Sequence, residues 1–292
     1  MRVFVAGATG AVGNLLVPML LAAGHEVTGT SRSLAGIERI RSFGATGVLA
    51  DALHAEKLRH VICAAAPEAV IHQLTDLSGA DGAANGRVRR EGTRNLVDAA
   101  KAAGVDRIVV QSISWAYAPG EGPAEETVPL DSTAAQPRAA TVDAVRALEE
   151  TAAEVETAVV LRYGLLYGPG TWYAPDGAFA AALAGDRTAR FLGSTVANDA
   201  VSSFVHVADA AGAALAALDW PGGPVNIVDD EPAPAREWLP ELAKALGVPA
   251  PGPVPGRQEW ERGASHTLAL SRGWQPEWPT WRTGFAAQRD IP

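Results

Sequence analysis

The first 32 residues, MRVFVAGATGAVGNLLVPMLLAAGHEVTGTSR, constrain the fold more than any other stretch of the chain. An apolar run from Arg2 to Ala6 ends in Gly7-Ala8-Thr9-Gly10-Ala11-Val12-Gly13. An apolar-periodic segment follows, then Gly24 and a second apolar run from Val27 to Thr30. The pattern predicts strand, glycine turn, helix and strand. Glycines let the backbone turn tightly and approach a pyrophosphate, and the free N–H groups at a helix start point at it. The spacing is G-x-x-G-x-x-G rather than the commoner G-x-G-x-x-G. It nevertheless follows a strand, opens a helix and sits in a βαβ unit of the right length, the context in which such a turn binds a dinucleotide.

The alternation continues. Strands are expected near 2–6, 26–30, 46–49, 69–73, 107–111 and 157–162, and helices near 11–23, 34–42, 54–64, 86–103, 140–153 and 207–218. Strands alternating with helices imply a doubly wound parallel α/β sheet. Asp209 is placed to cap or charge the first turn of an alanine-rich helix. After about residue 220 the composition changes. Five of the eight tryptophans lie at 238, 260, 274, 278 and 281, and Pro249 to Pro255 reads as an extended connection. A dinucleotide-binding domain is expected over 1–163 plus 201–220, with a smaller C-terminal substrate lobe over 164–200 plus 221–292. The cluster could line a pocket, but because Trp buries a large area it is expected more often to form that lobe's own core.

A chain of 292 residues buries a full core without staples. The net charge of −9 argues against a nucleic-acid partner. One cysteine, Cys63, excludes an internal disulfide and suits a reducing compartment. Its setting, Val61-Ile-Cys-Ala-Ala-Ala, predicts a buried, inert thiol. The sequence enters a strand at once, without a leader pattern, and no apolar run approaches the ~20 residues of a membrane span. The expectation is a cytoplasmic monomer or homodimer acting on a small molecule, with no membrane or nucleic-acid partner and no metal-ligand spacing. The acidic pairs Glu125-Glu126, Glu149-Glu150 and Asp229-Asp230 read as solvated or loop charges.

By order and spacing of its blocks the sequence resembles an extended or atypical short-chain dehydrogenase/reductase of the NAD-dependent epimerase/dehydratase type. The blocks are GATGAVG at 7–13, Asp51-Ala52, EGTRNLVDAA at 91–100, GVDRIVVQS at 104–112, LRYGLLYGPG at 161–170 and FVHVAD at 204–209. The resemblance implies a Rossmann-type fold and an NAD(P)-dependent oxidoreductase. It assigns Gly7, Thr9, Gly10, Ala11, Val12 and Gly13 to the pyrophosphate turn and Asp51 and Ala52 to the adenine. Leu74 and Thr75 go to a cofactor ribose, with Gln111, Arg146 and Tyr163 also on the cofactor. At the end of the second strand a carboxylate would hold ribose hydroxyls and repel a 2′-phosphate. This chain has Thr30-Ser31-Arg32 there, and Arg32 offers a planar cation suited to phosphate, so NADP is favoured over NAD.

The resemblance breaks at the proton donor. The family's Tyr-x-x-x-Lys pair falls on Val142 and Arg146, and its Ser/Thr falls on Ile113, between Ser112 and Ser114. No tyrosine lies between 118 and 162, and the lysines are Lys57, Lys101 and Lys244. Arginine stays charged and donates no proton. Tyr163, Tyr117 and Ser114 are the candidate substitutes. His206 suits neutral-pH proton transfer, although its strand-like setting favours a structural role. Trp115, Tyr117, Tyr163, Tyr167, Trp172, Tyr173, Phe179 and His206 suggest a pocket for an apolar or aromatic substrate, with 168–173 as either a cover or an ordinary loop. The leading expectation is an NADPH-dependent reductase of a carbonyl or conjugated bond. A non-redox epimerase, cyclase or lyase competes with it, as does a non-catalytic NADP(H)-sensing protein.

Overall fold

The computed structural model describes residues 1–77, 81–186 and 196–287. Packing divides the chain into two units: residues 1–112, 132–162 and 211–225, and residues 113–131, 163–210 and 226–292. Positions 187–195 and 288–292 of the expected substrate lobe lie outside the described residues.

The first unit carries the sheet. Its strands are β1 (Arg2–Ala6), β2 (Glu26–Ser31), β3 (Thr46–Leu49), β4 (Ala69–His72), β5 (Arg107–Ile113) and β6 (Thr157–Tyr163). A seventh strand, Gly223–Ile227, completes the order Gly223–Ile227, β6, β5, β4, β1, β2, β3. The β1–β2, β1–β4, β2–β3 and β4–β5 pairs are parallel. Strands buried on both faces read as unbroken apolar runs. Val3 to Ala6 and Ala69 to Ile71 have at most 1% exposure, so the sheet has to be covered by helices on both sides. Those helices are α1 (Ala11–Ala22), α2 (Leu34–Ser42), α3 (Ala55–Ala65), α4 (Gly82–Arg87), α5 (Thr93–Ala102) and α6 (Arg138–Ala152). Phe4, Leu58, Ile62, Leu96, Val97, Ile108 and Leu148 form one core cluster. The doubly wound parallel sheet inferred from the sequence is the architecture found.

Three local expectations are corrected. The helix expected near 86–103 starts earlier, where the Asp81 carboxylate accepts from the N–H of Ala83 and Ala84. It is also interrupted by a wider π turn over Val88–Gly92. Cys63 is exposed. Leu58 and Ile62 take the buried face of α3, and Cys63 falls on the opposite side. Glu149 is not solvated. Its carboxylate accepts from Arg162 Nε at 3.0 Å and NH2 at 2.6 Å, and from Ser112 Oγ at 2.6 Å. Arg162 is 6% exposed, so this bidentate pair satisfies two charges that burial would otherwise penalise.

The second unit is built from short elements. Leu165–Tyr167 pairs in parallel with Phe204–His206, and Val201–Ser202 pairs antiparallel with Ala233–Pro234. The helix Ala235–Leu246 buries Trp238, Leu239 and Leu242. They pack with Tyr167, Phe179, Phe204, Trp281 and Phe285 in an aromatic core. Trp238, Trp274 and Trp281 are buried, as expected of a tryptophan-rich core. Asp209 accepts from the N–H of Glu277 and Trp278, and Asp229 from the N–H of Trp281 and Glu231. Asp229 is fully buried rather than a loop charge. Desolvation raises both carboxylates, Asp229 to about 8. No described helix is long and apolar enough to cross a membrane.

Candidate functional site

In the first unit the glycine turn has the shape that phosphate binding requires. Gly7 has φ +92°, and a Cβ there would lie 2.6 Å from the Gln73 carbonyl oxygen. A Cβ on Gly13 would overlap the Gly7 carbonyl. The Gly10 N–H donates to the Gly7 oxygen at 3.1 Å. Gly10 caps α1 without a side-chain bond, and the first turn holds no acidic residue. The first N–H groups of a helix have no partner within it and attract an anion. The residues present therefore fit a dinucleotide pyrophosphate. Thr9 gives its carbonyl to Asn14 Nδ2 at 3.1 Å, which fixes the turn against the helix.

The other cofactor candidates sit at the same end of the strands. Ser31 is buried, and its Oγ accepts from the N–H of Ser33. Arg32 is exposed and pairs with Asp76 at 3.2 Å. Asp51 Oδ1 accepts from the Leu53 N–H at 2.9 Å, and the Ala52 carbonyl accepts from Asn95 Nδ2 at 2.8 Å. The N–H of Leu74 donates to His72 Nδ1, and His72 Nε2 lies 2.9 Å from Thr93 Oγ1. Burial, helped by the nearby Arg89 cation, lowers His72 to about 4 and keeps it neutral. Thr75 and Gln111 are half-buried. On α6, Val142 is fully buried, while Arg146 is a third exposed and paired with Asp143 at 2.9 Å.

In the second unit a cavity of about 200 Å³ is lined by Ser114, Trp115, Tyr117, Leu165, Val201 and Arg262, with Trp260 beside them. The Arg262 guanidinium donates to the carbonyls of Gly122 and Glu121. Tyr117 is fully buried, and its hydroxyl donates to Asn226 Oδ1 at 2.6 Å. Asn226 in turn donates to the Ala124 and Ser265 carbonyls. The Tyr163 hydroxyl donates to the Ala210 carbonyl at 3.2 Å, and the Ser114 N–H donates to the Tyr163 carbonyl. Ser114, Trp115 and Tyr117 thus share one cavity.

Tyr167, Tyr173 and His206 are placed elsewhere in this unit. Tyr173 stacks on Phe179 at 4.6 Å and meets Trp238 and Phe204 edge-on. Tyr167 is wholly buried against Phe204, His206 and Phe285, and among the described residues no group accepts from its hydroxyl. Burial raises both phenols. His206 packs on Trp278 at 4.7 Å, and burial lowers it to about 4, so it is neutral. Trp172 is half-buried, and its carbonyl accepts from the Phe179 N–H. The sequence marked Trp260 only as a member of the tryptophan cluster and did not single out Arg262; both stand in an aperiodic stretch after the proline-rich connection. Nor did it single out Arg89, one of three arginines within four residues.

The model of the NAD dependent epimerase/dehydratase family matches residues 3–227. A 3-diazoavenalumate denitrifying reductase from a Streptomyces species is 41% identical over 312 residues, spanning 99% of this chain and 100% of that protein. A 2′-dehydrokanamycin reductase from Streptomyces kanamyceticus is 32% identical over 281 residues, covering 89% of this chain and 70% of the relative. Among solved structures, the Thermus thermophilus UDP-glucose 4-epimerase complex with NAD superposes with TM-score 0.76 at 26% identity, covering 99% and 98% of the two chains. The Thermotoga maritima UDP-glucose 4-epimerase with UDP-glucose gives 0.77 at 20% identity, with the same coverage, a likeness of fold.

Proposed function

The chain belongs to the NAD dependent epimerase/dehydratase family, and from that premise we propose that it is a cytoplasmic NADPH-dependent reductase that removes a diazo group from a small aromatic carboxylate. One observation carries this reading. Nowhere does a tyrosine precede a lysine by four residues, and the aligned helix offers buried Val142 and salt-bridged Arg146 instead. Reducing a carbonyl leaves an alkoxide that needs a proton. Removing a diazonium group needs none. The hydride's electron pair makes the new C–H bond, and the C–N pair departs with N2. The full-length relative named for a denitrifying reduction of a diazo compound supports the same chemistry.

NADPH, when bound, supplies the hydride. Gly7, Gly10 and Gly13 would hold its pyrophosphate, and Ser31 and Arg32 its 2′-phosphate. Asp51, Ala52, Leu74 and Thr75 would line the remaining nucleotide, within the 1–163 plus 201–220 domain. The cavity bounded by Trp115, Tyr117 and Trp260 suits a flat ring, and Arg262 suits its carboxylate. Among the described residues no carboxylate pairs with Arg262.

The test uses NADPH carrying deuterium at the transferred position and an arenediazonium carboxylate, measured above the enzyme-free rate. One N2 and one carbon-bound deuterium per NADPH are expected, with no solvent label in D2O. Carbon-bound solvent hydrogen would refute the mechanism. A second reading, carbonyl reduction with Ser114, Tyr117 or Tyr163 as donor, is supported by the 2′-dehydrokanamycin reductase relative. It predicts NADPH oxidation with ketones and a strong loss in Tyr163→Phe or Tyr117→Phe. Binding of NADPH without consumption by either substrate class would favour the non-redox or sensing alternatives.

A further inference from the structure

Arg89 is a buried cation in search of an anion. It is 8% exposed, and among the described residues its guanidinium makes no ion pair and no hydrogen bond. Its neighbours differ. Arg87 is exposed and pairs with Glu91, and Arg94 pairs with Asp98 and Glu154. Proteins bury an unpaired charge rarely, because desolvation penalises it and nothing offsets the penalty. Burial alone lowers this guanidinium, to about 10, which leaves it charged at neutral pH.

The backbone turns Arg89 inward and places it at a particular edge. Arg89 lies in the π turn Val88–Gly92, a local widening often found at functional sites. One turn later, Thr93 Oγ1 meets His72 Nε2 at 2.9 Å, so this helix face lies against the end of β4. A crossover helix runs back antiparallel to its strand. One turn toward its N-terminus therefore leads toward the C-terminal edge of the sheet, where dinucleotides bind. The glycine turn stands at that edge beside β4. His72 is in register with Ala6, and the Gln73 N–H donates to the Ala6 carbonyl at 2.8 Å. The Gln73 carbonyl fills the space that a side chain on Gly7 would need.

We propose that Arg89 is the counter-charge for the pyrophosphate of the bound dinucleotide. The inference rests on the dinucleotide reading of the glycine turn. The diphosphate would supply the acceptors that the protein withholds, and a charge-assisted bidentate contact would orient it. The burial of Arg89 in the free protein is then a device of binding rather than of stability.

The test compares the full chain with Arg89→Gln and Arg89→Lys by calorimetric titration and thermal denaturation. The ligands are NADPH, NADH, ADP-ribose and adenosine 2′-monophosphate, the last carrying a 2′-phosphate without a pyrophosphate. Arg89→Gln is expected to weaken the three pyrophosphate ligands by about tenfold or more, as loss of a charge-assisted contact does. The monophosphate should stay within about twofold, and Arg89→Lys should recover part of the loss. Without ligand, Arg89→Gln should melt higher than the unmutated protein, because an unpaired buried charge is gone. Unchanged ADP-ribose affinity would overturn the proposal. A lower ligand-free melting point with equal losses for all four ligands would overturn it in favour of a structural arginine. If the unmutated protein binds none of the pyrophosphate ligands, the dinucleotide reading itself falls. If it binds them and Arg89→Gln binds them equally, only the role of Arg89 falls.

Discussion

On the reading proposed above, a preference for NADPH would be set by a competition at Arg32. Arg32 would have to leave Asp76, its partner at 3.2 Å, to face a 2′-phosphate fully. A hydrogen bond to a charged group contributes ~1.5–3 kcal/mol, whereas an exposed ion pair contributes ~0.2–1 kcal/mol. Arg32 is 57% exposed and Asp76 23%, so the lower scale applies to their pair. The difference is ~0.5–2.8 kcal/mol, or roughly 2- to 100-fold in favour of NADPH over NADH. Arg32→Ala should erase that gap and leave NADH affinity nearly unchanged. Asp76→Asn frees Arg32 and should tighten NADPH by the value of the lost pair, about 1.5- to 5-fold. Titration calorimetry with both cofactors at one ionic strength measures all three quantities. Equal affinities in the unmutated protein, or weaker NADPH binding in Asp76→Asn, would refute the reasoning.

Other outcomes follow from buried groups of the second unit. Asp229 is raised to about 8 by burial, so the folded protein holds a proton there that the unfolded chain releases near pH 4. Its contribution to stability is full below about pH 4 and falls as pH rises toward about 8; Asp229→Asn should flatten that part of a melting-temperature profile, and an unchanged slope would count against it. Tyr167→Phe removes a buried hydroxyl that has no acceptor among the described residues, and should raise stability by up to ~1–3 kcal/mol in urea unfolding; a loss of stability would show a missed partner. Tyr117→Phe takes the Tyr117 donor from Asn226 Oδ1 and should cost ~1–3 kcal/mol of stability. Its turnover on a diazo substrate should stay within about threefold, since general-acid loss costs ~10²–10⁴-fold; a collapse of that size would restore Tyr117 as an acid.

The parts of the fold that were legible are those where local and tertiary forces agree. β1, α1 and β2 read clearly because apolar runs, glycine positions and helix periodicity all point the same way. The tryptophan-rich core followed from the area that indole rings bury. Charged side chains were harder, because a charge in a helix reads as solvated until its partner is known. Glu149 was misread for that reason: its partner Arg162 comes from β6, thirteen residues on. Arg89 was hidden in Arg87-Val-Arg-Arg, where its two neighbouring arginines are exposed. Regular 3.6-residue spacing does put Arg89 on the face of buried Thr93 and Leu96, but the residue type alone marks an arginine as exposed. Trp260 and Arg262 stand in an irregular segment whose path follows tertiary contacts rather than periodicity.

If the proposed diazo reduction is the reaction, the lack of a Tyr-x-x-x-Lys pair is no defect. An inner-face position of α6 that carries valine is fully buried, as are Ala144 and Val145 beside it, so this face is packed hydrocarbon. A phenol placed there would need a partner or would cost stability. That cost is worth bearing where each turnover must protonate an oxygen. It has no return where a carbon accepts hydride and the leaving group is neutral N2. The remaining demands are to bind a polyanionic cofactor and an anionic substrate in fixed positions. Arginine meets both, because its charge persists at every working pH and its planar fork fits phosphate and carboxylate. On the proposed reading, a chain provided with Arg32, Arg89, Arg146 and Arg262, and with no Tyr-x-x-x-Lys pair, would suit hydride chemistry without proton transfer. Its turnover number should then be flat from about pH 6 to 9, whereas a protein-borne acid would impose a falling limb as it loses its proton.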